Sequence, residues 1–318
     1  MESVTIDRRL FLLAAAVSAV STAYPSLAQQ QADKSYKPKV DAPVFQGSGK
    51  VVVIDEAHNN FHTATGRYEP FANLLRADGL IVKPGVVKFD ENALTGIDAL
   101  VIANALPPRD RSSDTAFTLE ECAALEAWVR SGGALWLVAD HAPFGAATQN
   151  LANVFGFQMG DGWVYEPTSG GLTTQIEFDR KSGALGNHPI TNGLNAKEAI
   201  KKVKSFSGQS LTLPPGGVAL LSLGAGAREA RSNKDLSDAE MAFKKRQAPM
   251  DAAVAGRVQG FALEHGAGRL VVLGEAAMIT AQRVNFGNGQ SQTVGMGLRS
   301  IDNEQFALNI SRWLLRAL

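Results

Sequence analysis

Uninterrupted apolar runs alternate with amphipathic stretches through the first half of the chain, and this alternation predicts the fold. Strands that are buried on both faces of a sheet read as continuous apolar runs, and such runs occupy residues 50–55, 99–103 and 134–139. Amphipathic spacing typical of helices lies between or after them. Buried strands that alternate with helices predict a mostly parallel α/β sheet flanked by helices.

Residues 118–131 carry the clearest helix signal. Thr118 and Glu121 have the spacing of a capping box, in which each side chain bonds the other residue's backbone N–H. The helix that follows places three apolar side chains on one face: Cys122, Leu125 and Val129. A second amphipathic helix is predicted at residues 306–314.

The middle of the chain has a different pattern. Residues 173–178, 202–207 and 218–223 alternate apolar and polar positions between Gly and Pro clusters, which predicts an extra β-rich segment. Residues 232–250 are charged, and we expect an exposed loop there. Apolar runs on both sides of a Gly-rich turn predict a hairpin over residues 259–273.

The amino terminus looks like an export signal. Arg8 and Arg9 precede Leu-Phe-Leu, which resembles the twin-arginine consensus. The apolar run that follows is shorter than the ~20 residues needed to span a bilayer, and small residues precede Gln29 as a signal peptidase requires. We predict a cleaved signal at residues 1–28 and a periplasmic or extracellular mature protein. The alternative is an uncleaved membrane anchor.

The polar residues 29–48 predict an irregular leader, and residues 49–318 a single α/β domain. The formal net charge is zero, which argues against a nucleic-acid partner because such partners select a basic face. The mature chain contains no other segment that could span a membrane. Cys122 is the only cysteine, so no intrachain disulfide can form.

Candidate chemistry is concentrated where the predicted strands end. Open parallel sheets bind ligands outside the carboxyl ends of their strands. Polar residues that follow the apolar runs are Asp55, His58, Asn60, His62, Asn104, Asp140, His141 and Glu275. We therefore expect these side chains at one edge of the sheet, with Asp55 close enough to Asp140 or His141 for a direct or metal-bridged contact.

Carboxylates and imidazoles at one edge could hold a divalent metal. The predicted ligands are His58, His62 and His141, while the cofactor itself stays unknown. In the alternative, Asp55 and Asp140 cap helices or bind loop amides, and the histidines satisfy neighbouring backbone groups.

Four segments together resemble a known group of proteins. Residues 53–60 read VIDEAHNN and are similar to the first strand of a bacterial family of unknown function in the class I glutamine amidotransferase-like superfamily. Residues 187–193 are similar to the HPIT-x-G turn of trehalose-utilisation-type relatives. Residues 119–140, and residues 268–282 followed by 303–314, fit the same pattern. The resemblance implies a flavodoxin-like fold and says little about function.

The chain departs from that superfamily at the catalytic turn. In glutamine amidotransferases a nucleophilic cysteine follows a sheet strand, but residues 138–143 read VADHAP. Cys122 belongs to the apolar face of a helix, where a buried thiol is inert. Glutamine hydrolysis through the superfamily's usual triad is therefore not expected.

Two functions remain open. In the first, the chain is an exported and metal-assisted hydrolase that acts on a small molecule or carbohydrate. Asp55, His58 and His141 then act as acid and base or hold the metal. Asp140 or Glu275 orients a histidine or activates water. Asn60 and Asn104 then bind the substrate. In the second, the same edge binds a ligand or partner without chemistry.

Overall fold

The computed structural model describes residues 30–285 and 291–318, so the predicted signal at residues 1–28 lies outside the described residues. The strands in chain order are β1 (Gln30–Ala32), β2 (Val51–Asp55), β3 (Ile81–Gly85), β4 (Ala99–Ala103), β5 (Ala134–Val138), β6 (Trp163–Thr168), β7 (Gly171–Thr173), β8 (Glu177–Asp179), β9 (Lys202–Lys204), β10 (Val218–Ser222), β11 (Arg228–Ala230), β12 (Ala252–Ala253), β13 (Val258–His265), β14 (Gly268–Leu273), β15 (Ala281–Asn285) and β16 (Ser291–Gly295).

The α-helices are fewer and mostly short. They are α1 (Glu69–Ala77), α2 (Leu119–Arg130), α3 (Phe144–Val154), α4 (Pro189–Asn192), α5 (Asn233–Lys244) and α6 (Asn303–Leu314). A 3-10 helix covers Ala277–Ile279. Among the described residues, no helix combines the length and the hydropathy needed to cross a bilayer.

A seven-stranded sheet with the order β10-β13-β14-β5-β4-β2-β3 forms the centre of the fold. The five strands from β14 to β3 are parallel, and β13 and β10 extend the sheet by antiparallel pairing. The predicted mostly parallel α/β sheet is confirmed. The predicted hairpin is β13–β14. The predicted β-rich middle segment corresponds to β7 to β10, of which β10 joins the central sheet and the others belong to smaller sheets.

Helices cover both faces of the central sheet. Phe71 of α1 and Phe306 of α6 pack in one core with Ile54 and Val101 of the sheet, and α2 and α3 pack in a second core on the other face. Successive strand residues point to opposite faces, which explains why a continuous apolar run is needed in each central strand. In β2, β4 and β5 the one charged side chain is Asp55, the last residue of β2.

The predicted capping box begins α2. Glu121 N–H donates to Thr118 Oγ1 at 3.2 Å, and Thr118 N–H donates to Glu121 Oε2 at 3.0 Å. Two of the unpaired N–H groups at the helix start are thereby satisfied.

The leader differs from the irregular segment that its polar composition predicts. Its first described residues form β1, which pairs with β15. Further along, Arg312 Nη2 donates to Ala42 O at 3.0 Å, and Val44 N–H donates to Asp78 Oδ1 at 2.9 Å. The backbone of the leader therefore bonds the body of the protein, a role that composition alone does not reveal.

Two predictions for the middle of the chain were wrong. Residues 233–244 form α5 instead of a loop. Only Leu236 and Ala239 of that helix are buried. Its apolar stripe is therefore too narrow for the helical periodicity to be recognised among the charged residues. The strand expected at residues 173–178 is divided between β7 and β8.

Candidate functional site

The parallel strands end at one edge of the sheet, and the residues predicted for the site follow them there. Asp55 is the last residue of β2 and Asn104 directly follows β4, while Asp140 and Glu275 come two residues after β5 and β14. The β4–β5 and β5–β14 registers run to the last residue of each strand, so these ends are level. Topology therefore brings the four residues to the same edge.

Asp55, His58, Asn60 and Glu121 form a buried hydrogen-bonded group, the His58 cluster. His58 Nδ1 lies 2.9 Å from Asp55 Oδ2, and His58 Nε2 lies 2.8 Å from Glu121 Oε1. Asn60 Nδ2 donates to Asp55 Oδ2 at 2.9 Å, and Ala57 N–H donates to Asp55 Oδ1 at 3.1 Å. The Asp55 carboxylate thus binds a loop amide, as the structural alternative predicts, and orients the imidazole as well.

The surroundings of His58 favour its charged form. Burial lowers the pKa of His58, but the hydrogen bonds and charges of Asp55 and Glu121 raise it by more, so the net shift is upward. The rings of Phe89 and Phe117 flank the imidazole at centroid distances of 4.6 and 4.7 Å. With a carboxylate at each nitrogen, both nitrogens donate, and the cluster holds an imidazolium between two anions.

Glu121 is a member of the site that we did not predict. Besides His58, its carboxylate accepts the N–H groups of Thr118 and Phe89, the latter at 3.3 Å. Burial raises the pKa of the Glu121 carboxyl, while the Thr118 N–H, the hydrogen bond and charge of His58 and the charge of Lys88 lower it by more. One signal could have found it: Glu121 precedes Leu125 by four residues and therefore lies on the buried face of the helix.

Asp140 and Glu275 form a second, separate group. Ala277 N–H and Met278 N–H each donate to a Glu275 carboxylate oxygen at 2.8 Å, so Glu275 caps the 3-10 helix. His141 N–H donates to Asp140 Oδ1 at 2.8 Å. Burial raises the pKa of both carboxyls, and the charge of Asp140 raises the pKa of Glu275 further. Two neighbouring buried carboxyls of this kind favour sharing one proton.

Asn104 fixes the tautomer of His62. Its Oδ1 accepts the Asp140 N–H at 2.9 Å, so its Nδ2 is the donor that faces His62 Nδ1 at 3.1 Å. The His62 proton therefore resides on Nε2, and this tautomer requires the adjacent, fully buried Gln282 amide to present its oxygen to the ring. Burial lowers the pKa of His62 to about 3, and the nearby charge of Arg67 contributes. His62 is a neutral, internally bonded ring.

The expected approach of Asp55 to Asp140 or His141 does not occur among the hydrogen bonds of the described residues. The Asp55 carboxylate bonds His58, which in turn bonds Glu121 of α2. Asp140 instead lies beside Glu275, near the start of α1. His141 Nδ1 bonds the backbone of Ala142 at 2.8 Å, and its ring stacks on Trp163 at a centroid distance of 4.9 Å. The edge is shared, but the side chains form separate groups.

The predicted metal ligands His58, His62 and His141 belong to separate groups in the structure. Within residues 30–285 and 291–318, no three His, Cys, Asp or Glu side chains come together in a group that could hold a metal ion. A ligating imidazole needs a free lone pair. Both ring nitrogens of His58 face carboxylates, and His62 Nδ1 faces the Asn104 amide, whereas the bond of His141 to the Ala142 carbonyl uses only its Nδ1. The amides of Asn60 and Asn104, predicted to bind substrate, are also bonded internally.

A cleft of about 340 Å³, the His58 cleft, opens beside the His58 cluster. The loops after β2, β3 and β4 contribute its walls, which include Ala57, His58, Asn59, Lys88, Arg109 and Asp110. Leu106 N–H donates to His58 O at 2.9 Å, and Asn59 Nδ2 donates to Pro107 O at 3.1 Å, so two of these loops are tied together. Asn59 adopts the left-handed conformation at φ 48°, which Asn tolerates better than most residues.

A larger groove of about 590 Å³ lies between the leader and the loop before α1, and residues 65–67 contribute to it. The described residues that line this groove include none of the residues predicted for the site. The His58 cleft therefore remains the better candidate for the predicted site.

Cys122 has no nucleophilic role in this arrangement. It is buried in α2, and burial raises the pKa of its thiol to about 12, with the charges of Glu121 and Glu120 adding to the shift. The thiolate, which is the nucleophilic form, is therefore not populated at neutral pH.

No protein-family model and no curated protein matches the chain. Among solved structures, the chain is similar to the mmIFT52 N-terminal domain, with a TM-score of 0.55 at 15% identity over 83% of this chain and 97% of that one. A ThuA-like protein from Bacteroides uniformis gives a TM-score of 0.40 at 13% identity (87% and 94% covered). A GMP synthase protein from Thermoplasma acidophilum gives 0.38 at 12% identity (82% and 92% covered). The likeness to the mmIFT52 domain is a likeness of fold.

Proposed function

We propose that this chain is an exported, non-catalytic binding protein of the class I glutamine amidotransferase-like fold that holds a small molecule or carbohydrate in the His58 cleft. The observation that carries this proposal is the position of the cleft. It opens among the loops that follow β2, β3 and β4, and open α/β sheets bind ligands at the carboxyl ends of their strands.

Binding is favoured over catalysis because the residues that would act as acid or base are already bonded inside the protein. His58 donates to Asp55 and Glu121 through both nitrogens, and Glu275 is occupied by the backbone of the 3-10 helix. A general base must reach a substrate proton with a free acceptor. In the His58 cleft the side chains instead form a rigid, preorganised floor, which lowers the ordering cost of binding.

Filling the cleft tests the proposal. Ala57→Trp introduces a bulky side chain at the cleft wall, and Ala123→Trp introduces the same side chain on the exposed face of α2 as a matched control. We expect at least one compound in a panel of monosaccharides, sugar acids and sugar phosphates to raise the melting temperature of the wild type and of Ala123→Trp, but not of Ala57→Trp, since ligands stabilise the state that they bind. Equal stabilisation of Ala57→Trp would place the site elsewhere.

Export through the twin-arginine route is the second part of the proposal. Cleavage after Ala28 would leave β1, which begins at Gln30 and pairs with β15, intact in the mature protein. Replacing Arg8 and Arg9 by Lys is expected to leave the precursor in the cytoplasm, as measured by immunoblots of cell fractions. Wild-type amounts of the double variant outside the cytoplasm would contradict the route.

Hydrolysis is a second candidate function, and the Asp140–Glu275 pair is the observation that favours it. A protonated and an ionised carboxyl side by side could serve as acid and base, and their raised pKa values agree with such sharing. Turnover of chromogenic glycosides or esters by the purified protein would favour this candidate. Ligand binding without product release would favour the first.

A further inference from the structure

We infer that the His58 cleft takes an oxyanion, a carboxylate or phosphate group on a small molecule, through Lys88 and Arg109. This inference rests on the proposed function and specifies the chemical class of its ligand. Both side chains line the cleft, and both are exposed.

The two cations of the cleft form no close ion pair with any residue that the structure describes, although the charge of Lys88 adds to the bonds that lower the pKa of the Asp110 and Glu121 carboxyls. Among the described residues, neither Lys88 nor Arg109 belongs to an ion pair. Both side chains can only donate hydrogen bonds. A ligand that satisfies them must therefore supply acceptors, and a negative charge makes those bonds stronger.

The nearby carboxylates, by contrast, already have donors. Asp110 Oδ1 accepts from Ser112 N–H at 3.0 Å and from Ser112 Oγ at 2.7 Å. Glu121 accepts from His58 and from two backbone N–H groups, and Asp55 accepts from His58 and Asn60. Asp55 and Glu121 are thus held by internal bonds, while the exposed Asp110 lines the cleft, so the two cations outnumber the exposed carboxylates of its wall by one.

The loop geometry favours a group that is bound between fixed walls. Lys88 comes from the loop after β3 and Arg109 from the loop after β4, and the latter loop is bonded to residues 58 and 59, which also line the cleft. The planar guanidinium of Arg109 matches the geometry of a carboxylate or phosphate, and the Lys88 ammonium adds a point charge. The two side chains approach from different loops, as a clamp on one anionic group requires.

Isothermal titration calorimetry of the full mature chain with inorganic phosphate, D-gluconate and D-glucose tests this inference. We expect at least one of the two anions to bind, and Arg109→Gln and Lys88→Gln each to weaken that binding about tenfold or more. Lys83→Gln, an exposed lysine on β3 outside the cleft, is the matched control and should leave the affinity unchanged. Binding should also weaken as the ionic strength approaches about 1 M, where charges at an exposed rim are screened.

The three probes separate the possible failures. If phosphate binds and gluconate does not, the anion is a phosphate; the reverse identifies a carboxylate. D-Glucose that binds equally to the wild type, Lys88→Gln and Arg109→Gln, with neither anion bound, would overturn the oxyanion inference and leave the proposed function standing. Failure of the wild type to bind either anion overturns the inference as well, and the Ala57→Trp experiment then judges the proposed function separately.

Discussion

Replacing His58 by alanine is expected to lower the free energy of unfolding by about 3–5 kcal/mol, because removing one partner of a buried ionic group leaves uncompensated charge. Asp55 has no solvent exposure, and the Glu121 side chain has 7%. Without the imidazolium, both carboxylates would remain in the apolar surroundings of Phe89 and Phe117. Chemical denaturation followed by circular dichroism measures the loss.

His265 offers a matched control for this substitution. It also bonds a glutamate, Glu126, but both side chains are partly exposed, at 22% and 17%. Exposed ion pairs contribute about 0–1 kcal/mol, so His265→Ala should cost far less than His58→Ala. The double variant of His58→Ala with Glu121→Gln should recover part of the loss, because one of the two anions is removed. Equal losses for the two histidine variants would contradict the buried imidazolium.

The pH dependence of stability provides a second measurement on His58. Its pKa is raised in the folded state, so its contribution is complete below the unfolded value of about 6.5 and is lost as the pH rises through the folded pKa. The pKa of Glu121 is lowered, so its contribution is present above its unfolded pKa and is lost as the pH falls through the folded one. The wild type should therefore lose its advantage over His58→Gln as the pH rises above neutrality.

Replacing Arg312 by leucine is also expected to lower the free energy of unfolding by about 3–5 kcal/mol. Arg312 Nε and Nη2 donate to the two carboxylate oxygens of Asp78 at 3.0 and 2.8 Å, and Asp78 is fully buried. This bidentate pair joins α6 to the end of α1 and also bonds the leader at Ala42. Its loss leaves a buried carboxylate with only backbone donors, which denaturant unfolding would detect.

Arg299 is the control for Arg312, since it too joins the leader, through Lys37 O at 3.0 Å, to a glutamate of α6, but it is 55% exposed. Arg299→Leu should change stability by no more than about 1 kcal/mol. Combining Arg312→Leu with Asp78→Asn removes the buried charge and should restore much of the loss. A double variant as unstable as Arg312→Leu alone would show that packing, not charge, explains the effect.

The sequence predicted best those strands and helices whose signals are contained in a few neighbouring residues. The apolar run of β4 was predicted with its observed bounds, and the capping box of α2 fixed the start of that helix, because each signal is contained in a few neighbouring residues. The helix α5 was missed because just two of its residues, Leu236 and Ala239, are buried. Its N-cap was nevertheless present in the sequence, since Ser232 accepts from the Asp235 N–H.

The edge of the sheet could be predicted, but the grouping of side chains along it could not. Strand direction sets which residues reach the edge, whereas the turns that follow decide where each side chain points. Asn59 and Asn104 adopt left-handed conformations at φ 48° and 50°, which redirect the loops after β2 and β4. Glu121 reaches His58 only because α2 packs on that face of the sheet, and such packing is tertiary information.

The docked leader sets an order of events during synthesis. Tyr36 bonds Glu304, 268 positions later in the chain. Likewise, β1 can form its pairing only once β15 has been synthesised. At bacterial-like elongation rates of about 5–20 residues per second, the partners of the leader leave the ribosome on the order of 10–50 s after the leader itself. The strand made first among the described residues thus gains its partner only after β15 has been synthesised, and the leader cannot dock completely until α6 has followed.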